Sequence, residues 1–402
     1  MTPGARLFRT LTIAASLGAV PQVALAGDEI RANADVTTTG GYSSNPFAGT
    51  GKNLGNAYVQ IDADPQVRLI AERSVLALKA RIDYRHYFHS RSDTSDYQGG
   101  LDYLGMPSSR LTTHANANYD SSIIGGFEAI APVINPAQPP PPPKTGNDLT
   151  LFGTGTRRRT LELGGDVAYI LSARASLTVN GFYSRARYSA FAGQSNYDGY
   201  GGGAGYSRRL SDHLRLGVQT SVNRYVFQGL FGQSQVYSLQ TTVSNDFNSH
   251  WSLKGAIGVS YSDRTVGGKT TTPSGNLQLC RHGDRTNLCA TVSEAVLPTG
   301  FSGAVVTQST GATYSYQLSE HARFSLSADY SHNNKPVSGN TIHTVAFGSS
   351  YVTATATYDR TLRQRLHFIA TTRYRNISSG AANRPADFGG TIGFLVRLGE
   401  YR

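Results

Sequence analysis

The sequence predicts an all-β protein, a transmembrane antiparallel up-and-down β-barrel of about sixteen strands, with roughly fourteen or eighteen as alternatives. Three observations predict this fold. Apolar residues recur at every second position in many separate segments. Glycine and tyrosine are abundant, with 44 and 23 of the 402 residues, whereas cysteine and methionine number only 2 each. No segment has the roughly eighteen consecutive apolar residues of a membrane helix, so only a closed barrel could span a bilayer.

Residues 1–26 have the features of a cleavable signal peptide. Two arginines precede the short apolar run Leu11–Val20, and a small-x-small cleavage site ends at Ala26. The apolar run is about half as long as a membrane-spanning helix requires. We therefore predict that the chain is exported and that residues 27–402 form the mature barrel.

The segment around residue 80 shows the alternation most clearly. Leu76, Leu78 and Ile82 alternate with the basic residues Lys79 and Arg81. A β-strand places these two basic residues on one face, whereas a helix would turn them to nearly opposite sides. The same period of two recurs in segments near residues 161–171, 251–261, 324–330 and 366–374.

Short polar turns separate these segments and pair them into hairpins. Two connectors are longer and are predicted to be extracellular loops, near residues 122–155 and 265–300, because long loops of such barrels lie outside and short turns lie in the periplasm. The first contains Pro139–Pro143, which favours a stiff extended conformation. Each loop is expected either to fold over or into the mouth of the barrel or to extend from its surface.

The two cysteines, Cys280 and Cys289, lie in a polar stretch of the second connector. In an oxidising compartment we expect them to form a disulfide that closes this loop. His282 lies between them, but two cysteines and one histidine make an incomplete zinc site. We therefore predict no metal site and no cofactor.

The sequence contains no G-x-S-x-G elbow and no H-E-x-x-H zinc-binding pair. We predict no catalytic residues and no enzymatic activity. An outer-membrane hydrolase with a serine and a histidine on the barrel wall remains an alternative.

The charged faces of the strands indicate what the lumen contains. If Leu76, Leu78 and Ile82 face lipid, the basic residues between them face the lumen. By the same parity nine basic residues are predicted to line the lumen: Lys79, Arg81, Arg85, Arg158, Arg215, Lys254, Arg373, Arg375 and Arg397. A ring of such groups would attract anions and exclude cations.

The same basic residues could instead form a structural network that fills the lumen. Glu162, Asp166 and Asp329 are the candidate acidic partners for such a network. The formal charge of +11 still leaves an excess of base. Since an exported chain does not meet nucleic acid, we expect lipopolysaccharide and other outer-membrane lipid, anionic polysaccharide or small anions as partners.

One motif resembles a known family. The first mature strand ends in Gly41-Tyr42-Ser43-Ser44-Asn45-Pro46-Phe47. This ending resembles the Tyr-x-x-Asn-Pro-Phe ending of the opening strand in a family of β-barrel porins, which often sit in exopolysaccharide loci of Gram-negative bacteria. The turns Leu210-Ser211-Asp212-His213 and Leu318-Ser319-Glu320-His321 also resemble that family. The resemblance implies an outer-membrane location and a role in or beside polysaccharide secretion, with periplasmic export proteins as partners; it implies no catalytic residues.

Together these features predict a porin-like conduit in the outer membrane of a Gram-negative bacterium. The expected solutes are anions or saccharides, and exopolysaccharide export is one such role. The alternative is a non-conducting structural or docking component of the polysaccharide secretion machinery, with a filled lumen.

Overall fold

The structure is a computed structural model that describes residues 29–89, 93–124, 155–189, 194–229, 232–265, 268–300, 303–334, 349–379 and 384–399. These residues form eighteen strands: β1 (Glu29–Ser43), β2 (Asn56–Ala71), β3 (Ser74–Tyr87), β4 (Thr94–Ser108), β5 (Leu111–Ile123), β6 (Arg157–Ser172), β7 (Ala175–Tyr188), β8 (Tyr197–Arg209), β9 (Leu214–Phe227), β10 (Gln233–Asp246), β11 (Trp251–Arg264), β12 (Gly268–His282), β13 (Thr286–Thr299), β14 (Gly303–Ser319), β15 (Ala322–Asn333), β16 (Ser349–Arg363), β17 (Leu366–Ser379) and β18 (Asp387–Gly399).

Each strand pairs antiparallel with its neighbours in the chain, and β1 also pairs with β18, which closes the sheet. The all-β antiparallel up-and-down barrel is confirmed, with the strand number at the upper alternative of eighteen. Closure leaves none of the eighteen described strands without a partner on either side, although β12 and β13 pair with each other over only part of their length. Within the described ranges, no helix is long and apolar enough to cross a membrane.

The prediction of a long loop near residues 265–300 is wrong. This segment contains β12 and β13, which pair with each other from Gly275↔Glu294 to His282↔Asn287. In β12, apolar residues alternate only in the half that contains Leu277 and Leu279, whereas residues 269–272 read Lys-Thr-Thr-Thr. Threonine favours strands through its branched Cβ, but it contributes no apolar face to the pattern. The other predicted loop, 122–155, lies mostly outside the described residues.

The barrel has two different ends. At one end, eight turns of two to four residues join consecutive strands, and β1 begins and β18 finishes there; we call this the turn end. The opposite end carries the connections from β1 to β2, β3 to β4 and so on around the barrel, and we call it the loop end.

The strand parity predicted from sequence matches the exposure of the side chains. On β3, Leu78 and Ile82 are 42% and 37% exposed on the outer face, whereas Asp83 and Arg85 point inward and are buried. Large apolar side chains cover the exterior in the same way on other strands, for example Ile257 and Ile392. The exterior is therefore apolar and the interior polar, the reverse of a soluble β-barrel.

Candidate functional site: the barrel lumen

All nine predicted basic residues occupy inward-facing positions of their strands, but they do not form one ring. Lys79, Arg215 and Lys254 lie towards the turn end, where their side chains are exposed to the lumen. Arg85, Arg373 and Arg375 lie towards the loop end and are buried. Arg81 and Arg397 contact carboxylates on neighbouring strands, and Arg158 lies opposite Ser122 and Tyr188.

Six of the nine pair with aspartates other than the three acidic residues predicted as their partners. Arg81 contacts Asp62 at 2.7 Å and Asp64 at 3.5 Å. The other pairs are Lys79 with Asp102 at 2.8 Å, Arg85 with Asp83 at 3.0 Å, Arg397 with Asp35 at 3.9 Å, and both Arg373 and Arg375 with Asp387 at 3.1 Å. Much of the predicted positive ring is thus neutralised within the wall.

None of the three predicted acidic partners makes an ion pair with a lumenal lysine or arginine in the described part of the chain. Asp166 instead lies 3.1 Å from the Nδ1 atom of His114. Aspartates such as Asp35 and Asp62 share the inward parity of the basic residues, and this signal is present in the sequence. Which aspartate lies beside which arginine depends on the register between strands, which a single sequence does not contain.

The densest part of the network surrounds Asp387, at the loop-end start of β18. Its carboxylate accepts hydrogen bonds from Arg373 and Arg375, from the Ser43 hydroxyl at 2.6 Å and from the Asn45 backbone N–H at 2.9 Å. The Arg373, Arg375 and Asp387 side chains are all at least 90% buried. Charges this deeply buried are tolerated because each is paired and hydrogen-bonded.

This network holds the connection between β1 and β2 against the inner wall. Arg375 donates to the carbonyl oxygens of Asn45 and Pro46 at 2.9 and 3.1 Å. The Asn45 side chain donates to the carbonyl of Pro385 and exchanges hydrogen bonds with Gly49, which closes a tight loop. The Asn-Pro-Phe part of the sequence motif is therefore a structural latch that docks this connection inside the barrel.

The latch ends in an apolar cluster that reaches across the lumen. Phe47 packs against Tyr87 of β3, with ring centroids 5.0 Å apart and the ring planes tilted by 51°. Ala48 packs with Tyr351 of β16, Ile377 of β17 and Ile124 beyond β5, and Tyr188 of β7 packs against the same cluster. Strands β7 and β17 lie on nearly opposite walls of the barrel.

A second segment folds inward from the other side. The tip of the β13–β14 hairpin places Val296 and Ala304 in a cluster with inward side chains of β7 to β10, including Tyr197, Tyr225 and Phe227. The carbonyl oxygen of Gly300, at this tip, accepts a hydrogen bond of 2.6 Å from the Ser195 N–H, between β7 and β8. The tip can leave the wall because β12 and β13 pair only up to Gly275↔Glu294.

Tyr188 connects the two clusters, since it packs against both of them. Gly300 is close to the same ring: a Cβ atom at that position would lie 2.5 Å from the Tyr188 Cζ atom. We call this set of contacts, formed by the latch, the β13–β14 tip and Tyr188, the loop-end layer. It narrows the lumen at the loop end, whereas charged side chains remain exposed in the lumen towards the turn end.

Cys280 and Cys289 form a disulfide with a Cα–Cα distance of 4.1 Å. They face each other across β12 and β13, close to the turn end, and both side chains are buried on the inward side. The disulfide therefore joins two wall strands and does not close an extracellular loop. In the part of the chain that the structure describes, no group of three metal-ligating side chains is assembled, around His282 or elsewhere.

One serine and histidine pair lies on the outer wall, where the hydrolase alternative would need it. The Nδ1 atom of His332 is 3.0 Å from the Ser350 hydroxyl, and the two residues are direct cross-strand partners. A catalytic pair also needs a group that orients the histidine and donors that stabilise an oxyanion. Around this pair, the described residues show no carboxylate or amide bonded to His332.

No protein-family model and no curated protein matches the chain. Solved structures of similar shape include the ferric citrate transporter FecA in its unliganded form, with a TM-score of 0.47 and 13% identity over 94% of this chain. The chain spans 64% of the FecA chain.

Two Pseudomonas aeruginosa proteins are similar over nearly their whole length. OprD has a TM-score of 0.45 at 10% identity, over 92% of this chain and 96% of its own. OccK2 (OpdF) in complex with glucuronate has a TM-score of 0.45 at 9% identity, over 93% and 99%. Similarities at this level carry no information on the function of this chain.

Proposed function

We propose that the chain is an outer-membrane channel for small solutes, narrowed at the loop end by the loop-end layer. The observation that carries this proposal is the closed barrel with an apolar exterior and a polar lumen whose charged side chains are exposed towards the turn end. An apolar outer band on a closed barrel fits a bilayer, because strands that pair on both sides make their backbone hydrogen bonds within the wall. The same band would be an aggregation surface in water.

The solutes that fit best are small anions or acidic saccharides. The carboxylate of Asp387 is shared by two arginines, which leaves one net positive charge there. Arg215 and Lys254 make no ion pair with any described residue, and both point into the lumen near the turn end. Unpaired basic groups in a narrow aqueous path favour anions over cations.

Exopolysaccharide export, which the family resemblance implies, would require the loop-end layer to open. A polymer crossing the barrel would have to displace both the latch and the β13–β14 tip, because Tyr188 packs against both. Periplasmic export proteins would be the partners that drive such a change. We therefore favour small-solute conduction over polysaccharide export. For both functions the proposed location is the outer membrane of a Gram-negative bacterium.

The second candidate is a non-conducting docking component of a secretion system. It is favoured by the same loop-end layer, which connects opposite walls through buried apolar contacts. If the layer seals the lumen permanently, the barrel is a membrane anchor whose turns and loops bind partners.

Planar-bilayer recordings of the refolded mature protein distinguish the two candidates. We expect anion-selective conductance that increases in Tyr188→Ala, since this substitution removes the ring shared by both clusters. Tyr200→Ala is the matched control, because Tyr200 lies on the neighbouring strand β8 and is 43% exposed on the outer face. Absence of conductance in the wild type and in Tyr188→Ala would replace the channel with the docking function.

A further inference from the structure

The outer face of strands β6 to β9 carries four arginines at the loop end: Arg159, Arg185, Arg187 and Arg224. Their positions share the parity of outward apolar residues on the same strands, such as Val167, Val179 and Val222. Elsewhere around the loop-end rim, some outward positions are aromatic. Phe388 on β18 and Tyr42 on β1 are 62% and 55% exposed.

Two of the four arginines share a single carboxylate. Arg185 and Arg187 contact Asp198 at 2.8 and 2.9 Å, and the Tyr183 hydroxyl donates to Asp198 at 3.0 Å. Four arginines and one aspartate leave three net positive charges on this outward surface. Arg157, the preceding outward residue of β6, turns instead to the Ser95 and Ser121 carbonyls and is not counted.

Two of the positive charges are forced together by the strand register. Arg159 and Arg187 are direct cross-strand partners, a position where like charges are destabilising. Arg187 has a partner in Asp198, whereas exposed Arg159 makes no ion pair or hydrogen bond with any described residue. An anion between the two guanidinium groups would turn this repulsion into a stabilising contact.

The position of the arginines relative to the membrane indicates which anion is available. On the same outer face, Tyr183 lies two residues nearer the turn end than Arg185, and Tyr200 is the direct cross-strand partner of Arg224. The Arg185 and Arg224 guanidinium groups are 5.8 and 6.0 Å from the centroids of these two rings. Tyrosines of this kind mark the boundary between the apolar core and the headgroups of a bilayer. Arg159, Arg185 and Arg187 lie beyond these tyrosines towards the loop end, at the level expected for lipid phosphates.

We propose that this outward arginine cluster binds the phosphate groups of an anionic outer-leaflet lipid of the lipopolysaccharide type. Arg159 and Arg187 would hold one phosphate between them, and Arg185 and Arg224 would contact the rest of the headgroup. Guanidinium groups suit this ligand because their paired N–H donors match two phosphate oxygens. The site is independent of the proposed conduction, since it faces away from the lumen.

The test measures binding of bisphosphorylated lipid A to the detergent-solubilised full barrel by native mass spectrometry. We expect the wild type to retain this lipid and Arg159→Gln/Arg187→Gln to lose at least about tenfold in affinity, because two charge-assisted contacts are removed. Arg208→Gln is the matched control, because Arg208 is also exposed and outward-facing but lies at the turn end of β8.

Further arms separate a lipid site from a general anion site. Lipid A without phosphates should bind weakly to all variants, and equimolar inorganic phosphate should not displace the bisphosphorylated lipid. Equal affinity of the double variant and the wild type, or displacement by inorganic phosphate, would overturn the proposal. Heat-modifiable electrophoretic mobility reports folding, and Arg185→Gln serves as the second variant if the double variant does not fold.

Discussion

The two ends of the lumen use the same residue types differently. At the loop end, Arg85, Arg373 and Arg375 are buried, paired with aspartates and covered by segments that fold inward. At the turn end, Lys79 is 53% exposed even though it has an aspartate partner. The strand pattern is the same at both ends, so the covering segments decide whether a basic residue is structural or faces water.

The largest expected effect comes from removing a carboxylate at the loop end. Asp387→Asn leaves two buried arginines without their shared anion, and breaking a buried pair costs about 3–5 kcal/mol. The equivalent change at the turn end, Asp102→Asn, breaks an exposed pair worth at most about 1 kcal/mol. Urea unfolding of both variants in detergent or vesicles measures the difference.

Equal loss of stability in both variants would mean that the buried ion pairs of the loop end contribute no more to stability than the exposed ion pair of the turn end. We also expect Asp387→Asn to release the latch, because the Asp387 carboxylate accepts a hydrogen bond from the Asn45 N–H. Protease sensitivity of residues 44–55 reports that release independently of global unfolding.

The disulfide provides the next prediction, at the turn end. The β12–β13 ladder covers only eight residue pairs, because the part of β13 nearest the loop end leaves the wall with the inward-folded β13–β14 tip. Cys280→Ser/Cys289→Ser should lower the free energy of unfolding by about 2–3 kcal/mol, the loop-closure contribution of a short cross-link.

The matched control is reduction of the wild type, which removes the same bond without changing a side chain. If neither treatment lowers the unfolding midpoint, the hydrogen bonds between β12 and β13 hold these strands together without the disulfide. A loss in the serine variant that reduction does not reproduce would indicate packing of the sulfur atoms and not the cross-link.

The smallest expected effect concerns selectivity. Lys254→Gln/Arg215→Gln removes two exposed lumenal charges, so the anion preference should fall while the stability changes by no more than about 0.5 kcal/mol. The reversal potential in a salt gradient is the measurement. Arg208→Gln, an outward charge at the same end, is the control and should leave the reversal potential unchanged.

Several features of the fold follow from local sequence patterns. Period-two alternation identifies most strands, and the same parity correctly assigns the inward side of residues such as Arg81 and Arg373. Alternation is weaker in the threonine-rich half of β12, where no apolar face repeats, and the strand was therefore missed. The strand number could not be counted correctly without that hairpin.

The sequence by itself determined the closed antiparallel barrel, and it predicted which basic residues share a face of their strand, because both depend on alternation along one strand. Only the tertiary structure decided that Arg375 holds Asn45 and Pro46, that Asp387 serves two arginines, and that Tyr188 joins two clusters across the lumen. These contacts join residues far apart in the chain, and they depend on strand register and on how connections fold back into the barrel. Neither the register between strands nor the conformation of these connections can be deduced from the residue pattern of a single strand.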